Sequence, residues 1–460
     1  MIPYPQTIQG QKQLLYGGKF NQATQRLTKE ASGNNKILYL MEQGMIHNIQ
    51  GDYRTSIEPF QQALAAIQSF EDRAVISARS VASQLLTLPT NDNAIPYRGY
   101  AFERVLLNTY QALNYFFLDD LEGARVEVRR ADQRQTEELK RHNKQISEYQ
   151  KWGKKRKIES ADYPALQREK EKLQNLTGSV LNSFQNAFTY YLSGIIYELH
   201  GEENDAYIDY KKTYQLSPHF SYVRKDLLRL SQRLGFREEY ADWTSRFETI
   251  SKEAKTGPHK EGAEVILFYG AGFIAQKEQI KLTLPINNTL ISMALPVYTR
   301  QGVARQGGNF LIKVFDAGRS LGNTSMVVNL DPLAVKALEE EFPIIFIRQM
   351  ARILSKAALS KNVQKGSSNL SFLATSLYNI LSENADLRNW LLLPNTIQVF
   401  RRYVPAGNHE FSWQLQTPSG TIQDVQKSSI TLQKGDVCIV NLRSIENRLF
   451  STAKILHSKK

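Results

Sequence analysis

GIIYELHGEENDAYIDYKKT, residues 194–213, decides the fold. Its order of small and aromatic positions recurs twice upstream, in GMIHNIQGDYRTSIEPFQQA (44–63) and ALNYFFLDDLEGARVEVRRA (112–131). Gly44, Ala112 and Gly194 are followed three residues on by His47, Tyr115 and Tyr197, and twelve on by Ser56, Ala124 and Ala206. Phe60, Val128 and Tyr210 come at sixteen, and Ala63, Ala131 and Thr213 at nineteen. Small residues set how closely two antiparallel helices approach, and large ones fill the space between them. The order therefore predicts helical hairpins that stack on their neighbours. Between the helices, NIQGDY, FLDDLE and LHGEEN place Gly or Asp where one helix must turn into the next.

This spacing resembles the tetratricopeptide repeat. In the third copy Pro218 falls just past the second helix, and Phe20, Ala23 and Leu27 repeat the second-helix half, so the array is expected to begin near residue 9. The match is degenerate: Asn108 stands where such repeats often hold Trp or Leu, and the copies are more than one repeat length apart. Residues 68–100 and 134–185 are then inserted or divergent hairpins. DQRQTEELKRHNKQISEYQKWGKKRKIES (132–160) and ALQREKEKLQNLTGSVLNSFQNAF (165–188) are charged and sparse in apolar residues, as long, largely solvated helices are. A break at Gly153 and a turn at Pro164 would fold them into a projecting hairpin over about 134–185.

The run PYRGYAFERVLLNTYQALNYFFLDDLEGARVEVRRADQ (96–133) resembles the signature region of a family of bacterial tetratricopeptide-repeat lipoproteins. FPIIFIRQMARILSKAAL (342–359) and WLLLPNTIQVFRRYVPAGNHEF (390–411) are compatible with it. The resemblance implies an exported protein tethered to the outer membrane, of a kind often encoded beside lipoproteins that activate penicillin-binding proteins. The opening MIPYPQTIQG has no basic stretch, apolar stretch or lipobox cysteine, so the tether would belong to a removed N-terminal segment; taken literally, the sequence as given reads as cytoplasmic. Within the signature, Arg98, Glu103 and Arg104 flank an apolar helix face as a buried or capping ion pair or as part of a partner site.

After the polar DWTSRFETISKEAKTGPHKEG (242–262) the pattern changes from helical to extended. This gives a multidomain chain, with an all-α repeat domain at 1–256 followed by an α+β domain at 257–460. The second comprises strands over 263–316, a helical block over 331–392 with Pro343 in the first turn of its middle helix, and a β-rich end over 396–456. That end, with hairpin turns at PAGNHEF and TPSGTIQ, reads as a small antiparallel sheet or sandwich.

The sequence shows no local signature of catalysis. Seven histidines are scattered without metal-ligand spacing, and no GxSxG, phosphate-binding loop or GxGxxG is present, so no catalytic, cofactor or metal residue is assigned. Glu339, Glu340 and Glu341 point in different directions on a helix and are expected to face solvent. The lone Cys438, within GDVCIVNL, reads as a buried strand thiol. No stretch approaches the ~20 apolar residues of a membrane span. Arg and Lys exceed Asp and Glu by 58 to 45, a formal charge of +13, with a dense run at Lys151, Lys154, Lys155, Arg156 and Lys157. The leading reading is a non-enzymatic scaffold or structural subunit of a cell-envelope complex, touching other proteins through its repeat groove, its charged hairpin or a sheet edge. A binder of an anionic polymer, with nucleic acid disfavoured because Trp152 alone interleaves the basic run, and a hydrolase with a dispersed site are the alternatives.

Overall fold

Gly44 and Gly194 are glycines because an aromatic ring occupies the place of their side chain. In the computed structural model a Cβ on Gly44 would lie 2.2 Å from the Phe60 ring, and one on Gly194 would lie 2.4 Å from Tyr210. In the middle copy the pair is Ala112 and Val128, both buried, with a methyl more on one helix and a ring less on the other. The structure describes residues 4–30, 32–76, 92–155, 163–247, 262–286, 289–306, 310–363 and 384–457.

The array begins with α1 (Tyr4–Tyr16) and α2 (Phe20–Glu30). The first copy is α3 (Lys36–Gln50) with α4 (Tyr53–Ile76), and the second is α5 (Ala101–Phe117) with α6 (Leu121–Lys155). After α7 (Pro164–Thr177) comes the third copy, α8 (Ala187–Leu199) with α9 (Glu203–Leu216), then α10 (Ser221–Arg233) and α11 (Arg237–Arg246). At the hairpin turns Gly51 (φ 82°), Asp119 (φ 65°) and Gly201 (φ 78°) adopt the left-handed conformation that ends the first helix. Asn108 is buried and donates to Glu127 across α5 and α6 (2.7 Å), so a polar link replaces the apolar one.

The charged hairpin does not project freely over its described residues. Helix α6 runs through Gly153 without a break, and α7 packs on α13 (Leu330–Val363) with Leu166 and Leu173 fully buried. Tyr163 meets Phe346 at 5.4 Å, Gln174 donates to Glu339 (3.1 Å) and Ser183 to Glu340 (2.6 Å). The acidic triplet expected in solvent is thus partly enclosed, with Glu339 at 7% exposure. Pro343 lies inside α13, which continues through it and forgoes one backbone hydrogen bond, so it does not start a separate helix. Of the expected helical block, 364–383 lie outside the described residues and 384–395 form an irregular segment.

Strands β1 (Gly262–Ala271), β6 (Ser325–Asn329), β7 (Thr396–Pro405), β10 (Val437–Ile445) and β11 (Arg448–Leu456) form a mixed sheet in the order β11-β10-β1-β7-β6. Its β1–β10 pair is parallel, which the long chain between those strands permits. Strands β4 (Leu311–Asp316), β5 (Arg319–Asn323), β8 (Gly407–Gln416) and β9 (Ile422–Leu432) form an antiparallel sheet in the order β5-β4-β8-β9. The β-rich end is therefore not a sheet of its own, because its strands interleave with the earlier ones. A separate hairpin joins β2 (Glu278–Ile286) to β3 (Thr289–Val297), and α12 (Arg300–Gln306) follows it.

Strand β1 explains the layering. Val265, Leu267 and Tyr269 face the antiparallel sheet, packed with Trp413, Val314 and Cys438, whereas Ile266 and Phe268 face the helices. A strand covered on both faces needs a continuous apolar run, which AEVILFYGA supplies. Phe268 meets Phe116 of α5 (6.4 Å) and Phe188 of α8 (5.8 Å), so one hydrophobic core runs through helices and sheet. The expected division at 256/257 lies outside the described residues. Burial pushes the Cys438 thiol up to about 12, as an inert core residue.

Candidate functional site

The inner face of the array, formed by α3, α5 and α8, is closed by the chain itself. These first helices are buried almost throughout, whereas the second helices α4, α6 and α9 keep a solvated side. The mixed sheet covers part of the inner face, and the irregular segment 384–395, NADLRNWLLLPN, packs on it through Trp390, Leu391, Leu392 and Leu393. A buried irregular segment has backbone N–H groups that no sheet or helix satisfies. Two carboxylates from the array accept them. Glu42, the one acid of α3, accepts from the Leu391 N–H (2.8 Å) and the Leu392 N–H (3.1 Å), and also from the Tyr4 hydroxyl. Glu103 of α5 accepts from the Trp390 N–H (2.6 Å), the Tyr100 N–H (2.8 Å) and the Tyr97 hydroxyl (2.5 Å). Trp390, fully buried, meets Phe60 at 5.7 Å and Tyr110 at 6.0 Å. Arg388 donates to Asn35 (3.0 Å) and to the Ile95 carbonyl (3.1 Å). The repeat groove expected to receive a partner is thus filled in cis along this length.

A second lock lies on β7. Period two places Arg401 on the same face as Ile397 and Val399, toward the helices. Its guanidinium donates to Glu264 (2.6 Å), Tyr210 (2.8 Å), Asp226 (3.2 Å) and Glu198 (3.1 Å). Arg229 adds a contact to Glu198 and one to Asp226 (2.9 Å). Burial pushes Glu198 up, but Arg401 and Arg229 outweigh it and hold its carboxyl well below the usual range. Burial alone dominates at Glu42, pushed up to about 8 against the donors that surround it, and at Asp331, pushed up to about 7. Each of these acids is committed to backbone, hydroxyl, amide or arginine donors.

The residues singled out from sequence take separate places. Glu103 is fully buried in the contact just described. Arg104 pairs with Glu138 of α6 through two bonds (2.6 and 2.5 Å) and donates to the Gly99 carbonyl, while Arg98 lies exposed over the Phe70 ring (5.3 Å). Lys151, Lys154 and Lys155 are exposed at the end of α6, far along the chain from that cluster; Arg156 and Lys157 lie outside the described residues. Glu42, Trp390 and Arg401 were missed. Their signals were an acid inside the apolar KILYLMEQGMI, a tryptophan in the aperiodic NWLLLPN, and a charge on the buried face of an otherwise apolar strand.

Open surface remains on the outer side. Between α9 and the α10–α11 turn lies an open cleft of about 560 Å³, lined by Tyr207, Ile208, Lys211, Phe236, Arg237 and Glu239. Ile208 is 47% exposed there, and Glu239 is tied to Lys211 (3.2 Å). Among the described residues no group of three or more His, Cys, Asp or Glu is placed to hold a metal ion, and no helix is long and apolar enough to cross a membrane.

No family model and no curated protein matches the chain. Among solved structures, a chain described as "Crystal structure of MamA" aligns at 17% identity over 53% of this chain and 95% of that one. Its TM-score of 0.28 marks a superposition too loose to carry structural or functional argument.

Proposed function

We propose that this chain is a non-enzymatic scaffold or structural subunit of a bacterial cell-envelope assembly, periplasmic and associated with the outer membrane, that works through protein–protein contacts of its helical repeats. The observation that carries this reading is the closure of the inner face. With α3, α5 and α8 buried against the chain's own sheet and segment, the outer helices and the outer cleft are what the array leaves facing the surroundings. A cleft combining Ile208 and Phe236 with Lys211 and Glu239 suits a mixed apolar and charged protein surface. The envelope location rests on the resemblance of residues 96–133 to the lipoprotein family.

A photo-reactive amino acid at Ile208, introduced in the native bacterial host, tests the reading. The expected product is a discrete adduct with an envelope protein, lost when Lys211 and Arg237 are both reversed to Glu. Adducts formed equally well from the exposed Val425 on β9 of the antiparallel sheet, or recovery of no envelope protein from Ile208, would sink it. The exposed Lys151, Lys154 and Lys155 favour a second reading, an anionic-polymer binder. Retention of a nucleic acid or acidic cell-wall polymer at moderate salt, abolished by neutralising those three lysines, would support that alternative.

A further inference from the structure

Arg443 is a buried cation without a counter-charge. It lies on β10, facing the helices, at 6% exposure. Its Nη2 donates to the Leu392 carbonyl (3.1 Å), but Nε and Nη1 have no hydrogen-bond partner, and among the described residues no carboxylate pairs with it. Gly270 lets the side chain lie close to β1: a Cβ there would stand 3.3 Å from Nη1. The guanidinium also rests against the Phe273 ring (5.1 Å), which Lys12 approaches at 4.5 Å. The Lys12 Nζ is buried without a hydrogen-bond partner as well, but Glu42 and Asp331 act on its charge, which leaves Arg443 as the cation that no acid among the described residues offsets.

Beside Arg443 is a cavity of about 20 Å³, walled by Asn48, Tyr110, Phe268, Ile397 and Asn441. One water needs roughly 10–15 Å³ of such space, so the cavity takes a single small particle and nothing the size of a phosphate. A water would satisfy the orphan N–H groups but leave the charge uncompensated, and an unpaired buried charge is strongly unfavourable. A small anion does both. We propose that this cavity is a binding site for a monovalent halide-class anion, chloride or its analogues, held by Nε and Nη1 of Arg443 between the helical array and the mixed sheet.

The site ties β10 to α3 and α5, since Asn48 and Tyr110 on those helices line it with Arg443. Anion binding then stabilises the closed inner face by linkage. Thermal unfolding of the full chain is measured as sodium chloride replaces sodium gluconate at constant ionic strength. The melting temperature should rise and saturate, and Arg443→Met should abolish the difference. Crystals grown in sodium bromide should show an anomalous peak in contact with Nε and Nη1. If the variant fails to fold, the bromide measurement on the unaltered chain decides. The proposal is overturned by a melting temperature indifferent to chloride, by an unchanged chloride effect in Arg443→Met, or by a solvent peak at the site without bromide signal.

Discussion

Gly44→Ala places a methyl carbon 2.2 Å from the Phe60 ring, far inside van der Waals contact, so the ring or all of α4 must shift. Overpacking of this kind costs ~1–3 kcal/mol. Alanine for glycine inside a helix opposes it by up to ~1 kcal/mol. The variant should therefore lose ~1–2 kcal/mol of stability. Phe60→Val alone removes most of a fully buried ring and should cost ~2–4 kcal/mol, somewhat below a truncation to alanine. The double variant recreates the pairing that the second copy uses at Ala112 and Val128. The new methyl fills part of the void left by the ring, so the double should fall short of the summed losses by ~1–2 kcal/mol. Urea unfolding followed by far-ultraviolet circular dichroism measures this, with midpoints and slopes compared because a chain of this size need not unfold in two states. Additivity to within ~0.5 kcal/mol would mean that the two positions do not share space, and it would refute the hairpin register from which the fold is argued.

Arg401→Met leaves Glu264, Asp226 and Glu198 facing one another with Arg229 alone, and should cost ~3–5 kcal/mol in chemical denaturation at neutral pH. Because Glu198 is held below its ordinary 4.5, its share of stability is present above that pH and lost as pH falls; the gap between wild type and Arg401→Met should narrow in acid, and a gap that widens there would contradict the assignment. Glu42 runs in the opposite sense. Its folded-state value is raised to about 8, so the stability from proton binding is complete below 4.5 and lost as pH rises toward 8. Glutamine cannot titrate, so melting curves should show the cost of Glu42→Gln greatest in mild acid and smaller by pH 8; a cost that grows with pH would show the carboxylate to be ionised in the folded protein.

The helical half was legible because its signal is local. Small-to-large spacing and turn residues are set within some twenty positions, and the rings that lie over Gly44 and Gly194 follow from them. Strand positions were equally legible from period two and apolar runs. What could not be read was which strands pair. Residues 263–271 lie beside 437–445 and 396–405, partners more than a hundred residues away, and sequence pattern fixes neither partner nor direction. The same limit hid the inner-face contacts. Glu42 and its partner Leu391 are 349 positions apart, and the acid looked like a local irregularity until the fold joined them. The charged α6–α7 pair reads as a projecting hairpin because its apolar residues are few, and Leu166 and Leu173 are buried in the helix that packs on α13.

The irregularity of the repeats has a physical reason in this closure. In a regular solenoid each repeat buries its face against an identical neighbour, so equivalent positions carry equivalent residues. Here each first helix meets a different set of residues on its inner side, though α5 and α8 share Phe268. Helix α3 meets Leu391 and Leu392, α5 meets Trp390 and Phe268, and α8 meets Phe268 and Arg401. The three acids that make these contacts fall at non-equivalent places: Glu42 two residues before Gly44, Glu103 nine before Ala112, Glu198 four after Gly194. Residues that pack a hairpin on itself keep the shared spacing, while residues that face the sheet follow whatever lies opposite. A degenerate repeat of this kind signals an array fitted to one fixed cover.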